Sequence, residues 1–333
     1  MRSFRNILIL LLIITAFYSC NKKLDVNADW QDITVVYGIL SQNEDTSFIK
    51  ITKAFLGEGD AMQFAKIPDS SNYPDKLDVK LEAWSGNNLV NTYNFDTITI
   101  HTKVAGDSIF YYPLQLVYFS PTGHLNENNT YKLKITHKKT GVIDSASTKL
   151  VHSFIVDNPD PFIKKVDYIP GHNFDVKFEP AYGGKRYQLL IRFHYLETTL
   201  NGSVNKSFDW MLFNNLQVVN PYEPLPEAIE KGFSGDIFFT VLAGKIKNDP
   251  NVTSRVARGV DYIFSVASED LNTYMEATEP SLSIIQERPS FSNIYNGIGL
   301  FSSRFVNEID SIVIGSSTID QLRVNPLTAN LKF

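Results

Sequence analysis

From Asp32 onward the apolar residues of this chain recur mostly with period two, or in short runs bounded by turn residues, and that pattern restricts the fold to β-sheet. In the segment 77–84, Val79, Leu81 and Ala83 alternate with Lys80 and Glu82. In 48–55, Ile49, Ile51 and Phe55 fall on one face while Lys50 and Thr52 point away. The run 33–40 and the segments 91–100, 108–119, 131–137 and 145–151 read as further strands. Asp60 is placed to cap a short helix over 61–66, ended by Pro68. Leu125 precedes by six residues Tyr131, which opens an alternating segment; this is the spacing of the tyrosine corner of immunoglobulin-like sandwiches.

The strand pattern breaks at Asp157-Asn158-Pro159-Asp160-Pro161, where a domain boundary is expected. Beyond it, 174–180 and 187–195 resemble the B and C strands of a fibronectin type III module, with Phe178 where that family has tryptophan. Asn201-Gly202 between strand-like runs predicts a hairpin, because both residues tolerate positive φ. Pro226 is expected to open a helix over 227–231. The segment 235–246 has Ile237, Phe238, Val241 and Leu242 on one helical face, although 237–242 also suits a buried strand. Ser268 is placed to cap a helix carrying Leu271, Tyr274 and Met275, stopped by Pro280. Strands follow at 298–305 and 309–314, then a helical turn near 318–322. The expected architecture is mainly β: a first sandwich over 32–156 and a second over 157–333, both immunoglobulin/fibronectin-III-like, with a few short helices inserted in the second.

Ahead of this lies an export signal. Arg2 and Arg5 precede an unbroken apolar stretch over 7–14, and Ser19 stands immediately before Cys20. The apolar stretch falls well short of the roughly 20 residues that a membrane-spanning helix needs, and Asn21, Lys22 and Lys23 follow at once. Residues 1–19 therefore read as a signal peptide, and the small residue before cysteine resembles the bacterial lipobox, in which the thiol is linked to diacylglycerol and the new amino terminus is acylated, as by palmitate. Cys20 is the only cysteine among 333 residues, so neither a disulfide nor a cysteine metal site forms within one chain. Lipidation gives that lone exported thiol a purpose; the alternative is an ordinary signal peptide whose end happens to include it. Residues 20–31 then form a lipidated tether, and two or three acyl chains hold a protein stably where one does not. Asn21 after the cysteine permits sorting to the outer membrane. Loss of Arg2 and Arg5 moves the net charge from −5 to −7, and no basic stripe appears, which argues against nucleic acid as a partner.

Two segments, Val35-Val36-Tyr37-Gly38-Ile39-Leu40 and Ser292-Asn293-Ile294-Tyr295-Asn296-Gly297-Ile298-Gly299-Leu300-Phe301, resemble a family of Bacteroidota lipoproteins known only as a domain of unknown function. The resemblance implies a role in the cell envelope beside TonB-dependent outer-membrane receptors, and it brings no catalytic residues, no cofactor and no established small-molecule or glycan ligand. Without the family, Asn296-Gly297 and Gly299 suit a tight turn and a close backbone approach before an apolar strand. Gly297-Ile298-Gly299 lacks the third glycine of a dinucleotide fingerprint.

The candidates for chemistry are sparse. His101, His124, His137, His152, His172 and His194 are isolated, none at metal-ligand spacing. Gly232-Phe233-Ser234-Gly235 has the wrong spacing for a nucleophile elbow and no clear strand before it. Asp25, Asn27 and Asp29 alternate like calcium ligands, but Trp30 and Val36 occupy the glycine and closing-glutamate positions. Phe110-Tyr111-Tyr112 and Phe208-Asp209-Trp210 are each expected to leave one ring exposed, for sugar or peptide binding. Asp96-Thr97-Ile98, Asp107-Ser108-Ile109, Asp144-Ser145-Ala146 and Asp310-Ser311-Ile312 resemble an O-glycosylation pattern. The chain is therefore expected to be no enzyme but a binding or accessory lipoprotein of the outer membrane. The alternatives are an adhesive surface protein that binds glycan or protein, and a carbohydrate hydrolase with scattered carboxylates.

Overall fold

The computed structural model describes residues 33–54, 61–101, 114–279 and 290–333. The signal peptide, the tether with Cys20, Asp25, Asn27 and Asp29, and also Phe55, Asp60, Asp107-Ser108-Ile109, Phe110-Tyr111-Tyr112 and Pro280 lie outside the described residues.

The first sandwich packs two sheets. One runs β1 (Thr34–Leu40), β2 (Ser47–Lys53), β6 (Gln115–Ser120) and β5 (Asp96–Ile100); the other runs β4 (Asn88–Asn94), β3 (Asp78–Ser85), β7 (Thr130–Thr136) and β8 (Ile143–Lys149). In immunoglobulin lettering these are A-B-E-D against C′-C-F-G. The period-two pattern explains the layering: Val36, Leu40, Ile49 and Ile51 from one sheet meet Val79, Leu81, Leu133 and Ile135 from the other. Two one-turn helices, α1 (Ala61–Phe64) and α2 (Pro68–Ser71), lie between β2 and β3.

The tyrosine corner is present. Tyr131 at the start of the F strand is fully buried, and its hydroxyl donates to the Asn126 carbonyl at 3.0 Å beside buried Leu125. Burial pushes the Tyr131 hydroxyl up to about 12. Tyr131→Phe is expected to keep the ring packing and lose one buried hydrogen bond, lowering stability by about 1 kcal/mol in urea unfolding.

The second sandwich repeats the same order. Its small sheet is β14 (Ile229–Ser234), β11 (Asn173–Phe178) and β9 (Val156–Asn158); its large one is β13 (Gly202–Gln217), β12 (Arg186–Thr199), β15 (Val252–Ala267) and β16 (Gly297–Ile314), with the two-residue β10 (Lys165–Val166) beside β16. In the same lettering these are E-B-A and C′-C-F-G, so the fibronectin-like B and C strands are β11 and β12, and Phe178 is fully buried. Three longer helices, α3 (Asp236–Lys245), α4 (Glu269–Thr278) and α5 (Ser316–Val324), complete this half. Helix α3 enters the core: Phe238 stacks on Tyr168 with centroids 4.2 Å apart and meets Phe193 edge-on.

The structure corrects several sequence expectations. The hairpin at Asn201-Gly202 forms, but its two-residue loop is Leu200-Asn201, because Thr199 pairs with Gly202. The segment 227–231 is not helical: Ile229–Ser234 is an edge strand paired to β11. Ser268 stands at the N-cap of α4, yet its side chain caps no backbone N–H; its hydroxyl bonds to the Ser302 hydroxyl at 2.6 Å. The expected pair of C-terminal strands is one 18-residue strand, β16.

That strand also pairs with strands from both sides of residues 157–161. Residues 304–312 of β16 pair antiparallel with β15 of the second sandwich, while 297–303 run parallel along β1 of the first. A single nine-stranded sheet thus passes through both halves. The Ser303 hydroxyl secures the crossing, donating to the Lys149 carbonyl at 2.7 Å and accepting from the Val151 N–H at 3.2 Å.

The glycines of 292–301 explain how the crossing strand fits. Asn296 has φ 64° and Gly299 has φ +121°. A Cβ on Gly299 would lie 2.0 Å from the Val36 carbonyl oxygen, and one on Gly297 would lie 2.7 Å from that of Thr34. The Asn293 side chain bonds both ways to the Phe301 backbone, at 2.8 and 2.9 Å, which clamps the loop to the strand. The whole motif serves to lay β16 against β1.

Candidate functional site

Two of the six histidines lie within hydrogen-bond distance of a carboxylate, and a third, His124, has Nε2 3.6 Å from Asp45 Oδ1. His137, after β7, places Nε2 2.7 Å from Asp144 Oδ2 on β8 and 3.2 Å from Thr34 Oγ1. The Tyr73 hydroxyl lies 2.9 Å from the same threonine oxygen. The three residues His137, Asp144 and Thr34 have the composition of a nucleophilic triad but not its geometry. A triad needs the acid on one ring nitrogen and the nucleophile on the other. Here both meet Nε2, and Thr34 is 1% exposed, so the cluster closes one end of the first sandwich. His194 Nε2 lies 2.6 Å from Asp261 Oδ2, whose other oxygen accepts the Ser311 N–H at 2.9 Å. That carboxylate fixes the bend at Ser311, where φ is 58°.

The remaining candidates are placed as follows. His152 packs against Tyr182 with centroids 4.7 Å apart, and His124 Nδ1 lies 3.0 Å from the Gln42 carbonyl; His101 and His172 are exposed. Among the described residues no group of three His, Cys, Asp or Glu is arranged to hold a metal ion. A strand, β14, does precede Ser234, contrary to expectation, but the Ser234 hydroxyl is held by Asp236, donating to its carboxylate at 3.0 Å and accepting its N–H at 3.2 Å. Phe208 and Trp210 both face the core, as residues two apart on a strand must; the outward residue is Asp209, bound by Arg192 Nε at 2.7 Å. The Arg192 guanidinium holds the Asp209 carboxyl below its usual range.

The outer face of the C′-C-F-G sheet of the first sandwich has the character of a binding surface. Cross-strand register aligns Glu82, Lys132 and Ser147 in one row and Lys80, Lys134 and Ser145 in the next. The Lys132 ammonium sits 4.3 Å from the centre of the Trp84 ring, and Trp84 Nε1 donates to Glu82 at 3.0 Å. Beyond β8, Tyr295 exchanges two backbone hydrogen bonds with Ser145, at 3.1 and 2.7 Å, and is 74% exposed. Glu82, Lys132, Lys134, Ser145, Ser147 and Tyr295 border an open groove of about 490 Å³. An exposed phenol beside alternating amines and hydroxyls suits a polar ligand with a flat apolar face, and the half-buried Trp84 indole lies further along the same face of β3. Sequence reasoning missed this surface, because Lys132 and Tyr295 are 163 positions apart. Period-two alternation did place Glu82 and Lys80 on the outer face.

Glycoside hydrolysis needs two carboxyl groups about 5–9.5 Å apart across the bound sugar. The groove carries one, Glu82, and that one is committed to Trp84. Among the described residues no helix is long and apolar enough to cross a membrane. Comparison with family models and with curated proteins finds no match for the chain.

Proposed function

We propose that the chain is a lipoprotein of the cell envelope, anchored to the outer membrane through lipid on Cys20 and acting without catalysis as a binding or accessory subunit of a TonB-dependent transporter. The observation that carries this reading is the sequence around Cys20: one cysteine in the chain, set directly behind a short apolar segment and Ser19. The fold supports it. Strand β1 begins at Thr34, so about a dozen residues join the anchor to a folded body of two sandwiches, and that body stays close to the bilayer. The test is purification of the tagged chain from detergent-solubilised outer membranes. A receptor barrel in stoichiometric amount is expected beside it, and repeated purification without one overturns the accessory role.

The groove bordered by Glu82, Lys132 and Tyr295 favours a second reading, an adhesive lipoprotein that binds surface glycan. Under that reading Tyr295→Ala weakens retention on a glycan column by about two- to tenfold, the weight of one aromatic contact. Unchanged retention removes it.

A further inference from the structure

We infer that the seam between the two sandwiches holds a small carboxylate with a short apolar tail, in a cavity beneath helix α4. The cavity measures about 180 Å³, too small for a drug-sized ligand. Its floor is the outer face of the shared sheet. There, Arg186 on β12 pairs with Ala267 on β15, and Ala267 pairs with Arg304 on β16. Paired residues on neighbouring strands point to the same side, and strands lie about 4.8 Å apart. Two guanidinium side chains therefore rise from one row, roughly 10 Å apart at their origins, with only a methyl group between them.

Neither charge is fully answered by the protein. The Arg186 side chain is 4% exposed; its Nη2 donates to Glu279 at 2.7 Å and its Nε to the Asn214 carbonyl at 3.0 Å. Its Nη1 is buried with no hydrogen-bond partner, a costly arrangement for a charged group. Arg304 is exposed and makes no ion pair among the described residues. Glu279 is the one carboxylate described on Arg186, and it is half in solvent, so the cavity keeps an excess of positive charge. A planar carboxylate suits guanidinium geometry. Gln188 and Ser265, paired in the adjacent row, add polar atoms to the floor.

The wall facing this floor is apolar, formed by Leu271 and Met275 from the underside of α4, and Ile39 on the neighbouring strand β1 extends the apolar lining along the floor. An inorganic anion would satisfy the arginines and leave this wall uncovered; a neutral alkane would do the reverse. A short aliphatic carboxylate satisfies both. Because Arg186 and Ala267 belong to the second sandwich and Ile39 to the first, with Arg304 on the strand that joins them, such a ligand would also brace the junction.

The test is calorimetric titration of the full chain in detergent with sodium butyrate, with butyramide and inorganic phosphate as comparison probes. Saturable one-to-one binding of butyrate is expected. Arg304→Gln, at an exposed position, should weaken it about tenfold, the weight of one charge-assisted hydrogen bond. Met275→Trp, which fills the cavity from the helix side, should abolish it while thermal unfolding shows the fold intact. Equal binding of butyramide, binding of phosphate without butyrate, no butyrate binding, or butyrate affinity unchanged in both variants would overturn the inference.

Discussion

Replacing Gly299 with alanine is expected to cost about 3–5 kcal/mol, a large share of the roughly 5–15 kcal/mol that holds a domain folded. Two penalties act together. The backbone at φ +121° lies where side-chain-bearing residues are strained by about 1–3 kcal/mol. The new methyl would also sit 2.0 Å from the Val36 carbonyl oxygen, so β16 must move off β1 and forfeit the parallel ladder that runs from Thr34↔Gly297 to Leu40↔Ser303. Gly86→Ala serves as the control. Gly86 also has positive φ, +58°, but nothing lies within 4 Å of its Cβ position, so that change should cost only about 1 kcal/mol. Urea unfolding of the two variants separates strain from collision; equal losses would mean that β16 does not lie against β1.

Arg255→Ala is expected to destabilise the far end of the second sandwich by about 3 kcal/mol or more. Arg255 is 3% exposed and donates from Nε and Nη2 to Glu197 at 2.9 and 2.8 Å. The same guanidinium reaches the Leu331 carbonyl at 2.5 Å and the Lys247 carbonyl at 3.1 Å. It therefore ties the ends of β12 and β15 to the segment after α3 and to the last residues of the chain. Lys206 also binds Glu197, at 2.5 Å, and its survival in the variant places the loss toward the low end of the range for a broken buried pair. Glu197→Gln should lose less, and a double-mutant cycle should show coupling of at least about 1 kcal/mol. Proteolysis should release residues near 331 first.

Local pattern made much of this fold legible. Val79, Leu81 and Ala83 declared their strand because a half-buried sheet imposes period two, and Leu125 with Tyr131 declared the corner because the hydrogen bond behind it is local. Helix α4 was legible from Leu271, Tyr274 and Met275 on one face. Strand β14 was not: Pro226 and Glu227 favour a helix start, and the exposed run Glu230, Lys231 and Gly232 becomes strand only through pairing with β11. The continuity of β16 was hidden for a related reason. Its polar middle, Asn307 and Glu308, reads as a break, but β15 pairs with both residues and carries the strand through.

The candidate surfaces were less legible than the fold. Arg186 does not stand out in the sequence because its partners come from far along the chain: the Asn214 carbonyl lies 28 residues later and Glu279, just beyond α4, lies 93. Tyr295 reaches the edge of the outer sheet because the joining strand brings the end of the chain back to β8. The spacing of Asn296, Gly297 and Gly299 did announce a close backbone approach, though not its partner, β1.

The claim that places this molecule in the cell is the lipid on Cys20. Cells carrying the native chain or Cys20→Ser are grown with radiolabelled palmitate, and membranes are separated from soluble protein. The native chain is expected to carry label and to sediment with the outer membrane; Cys20→Ser is expected to carry none and to appear in the soluble fraction or remain unprocessed. Undiminished label on Cys20→Ser would contradict the account.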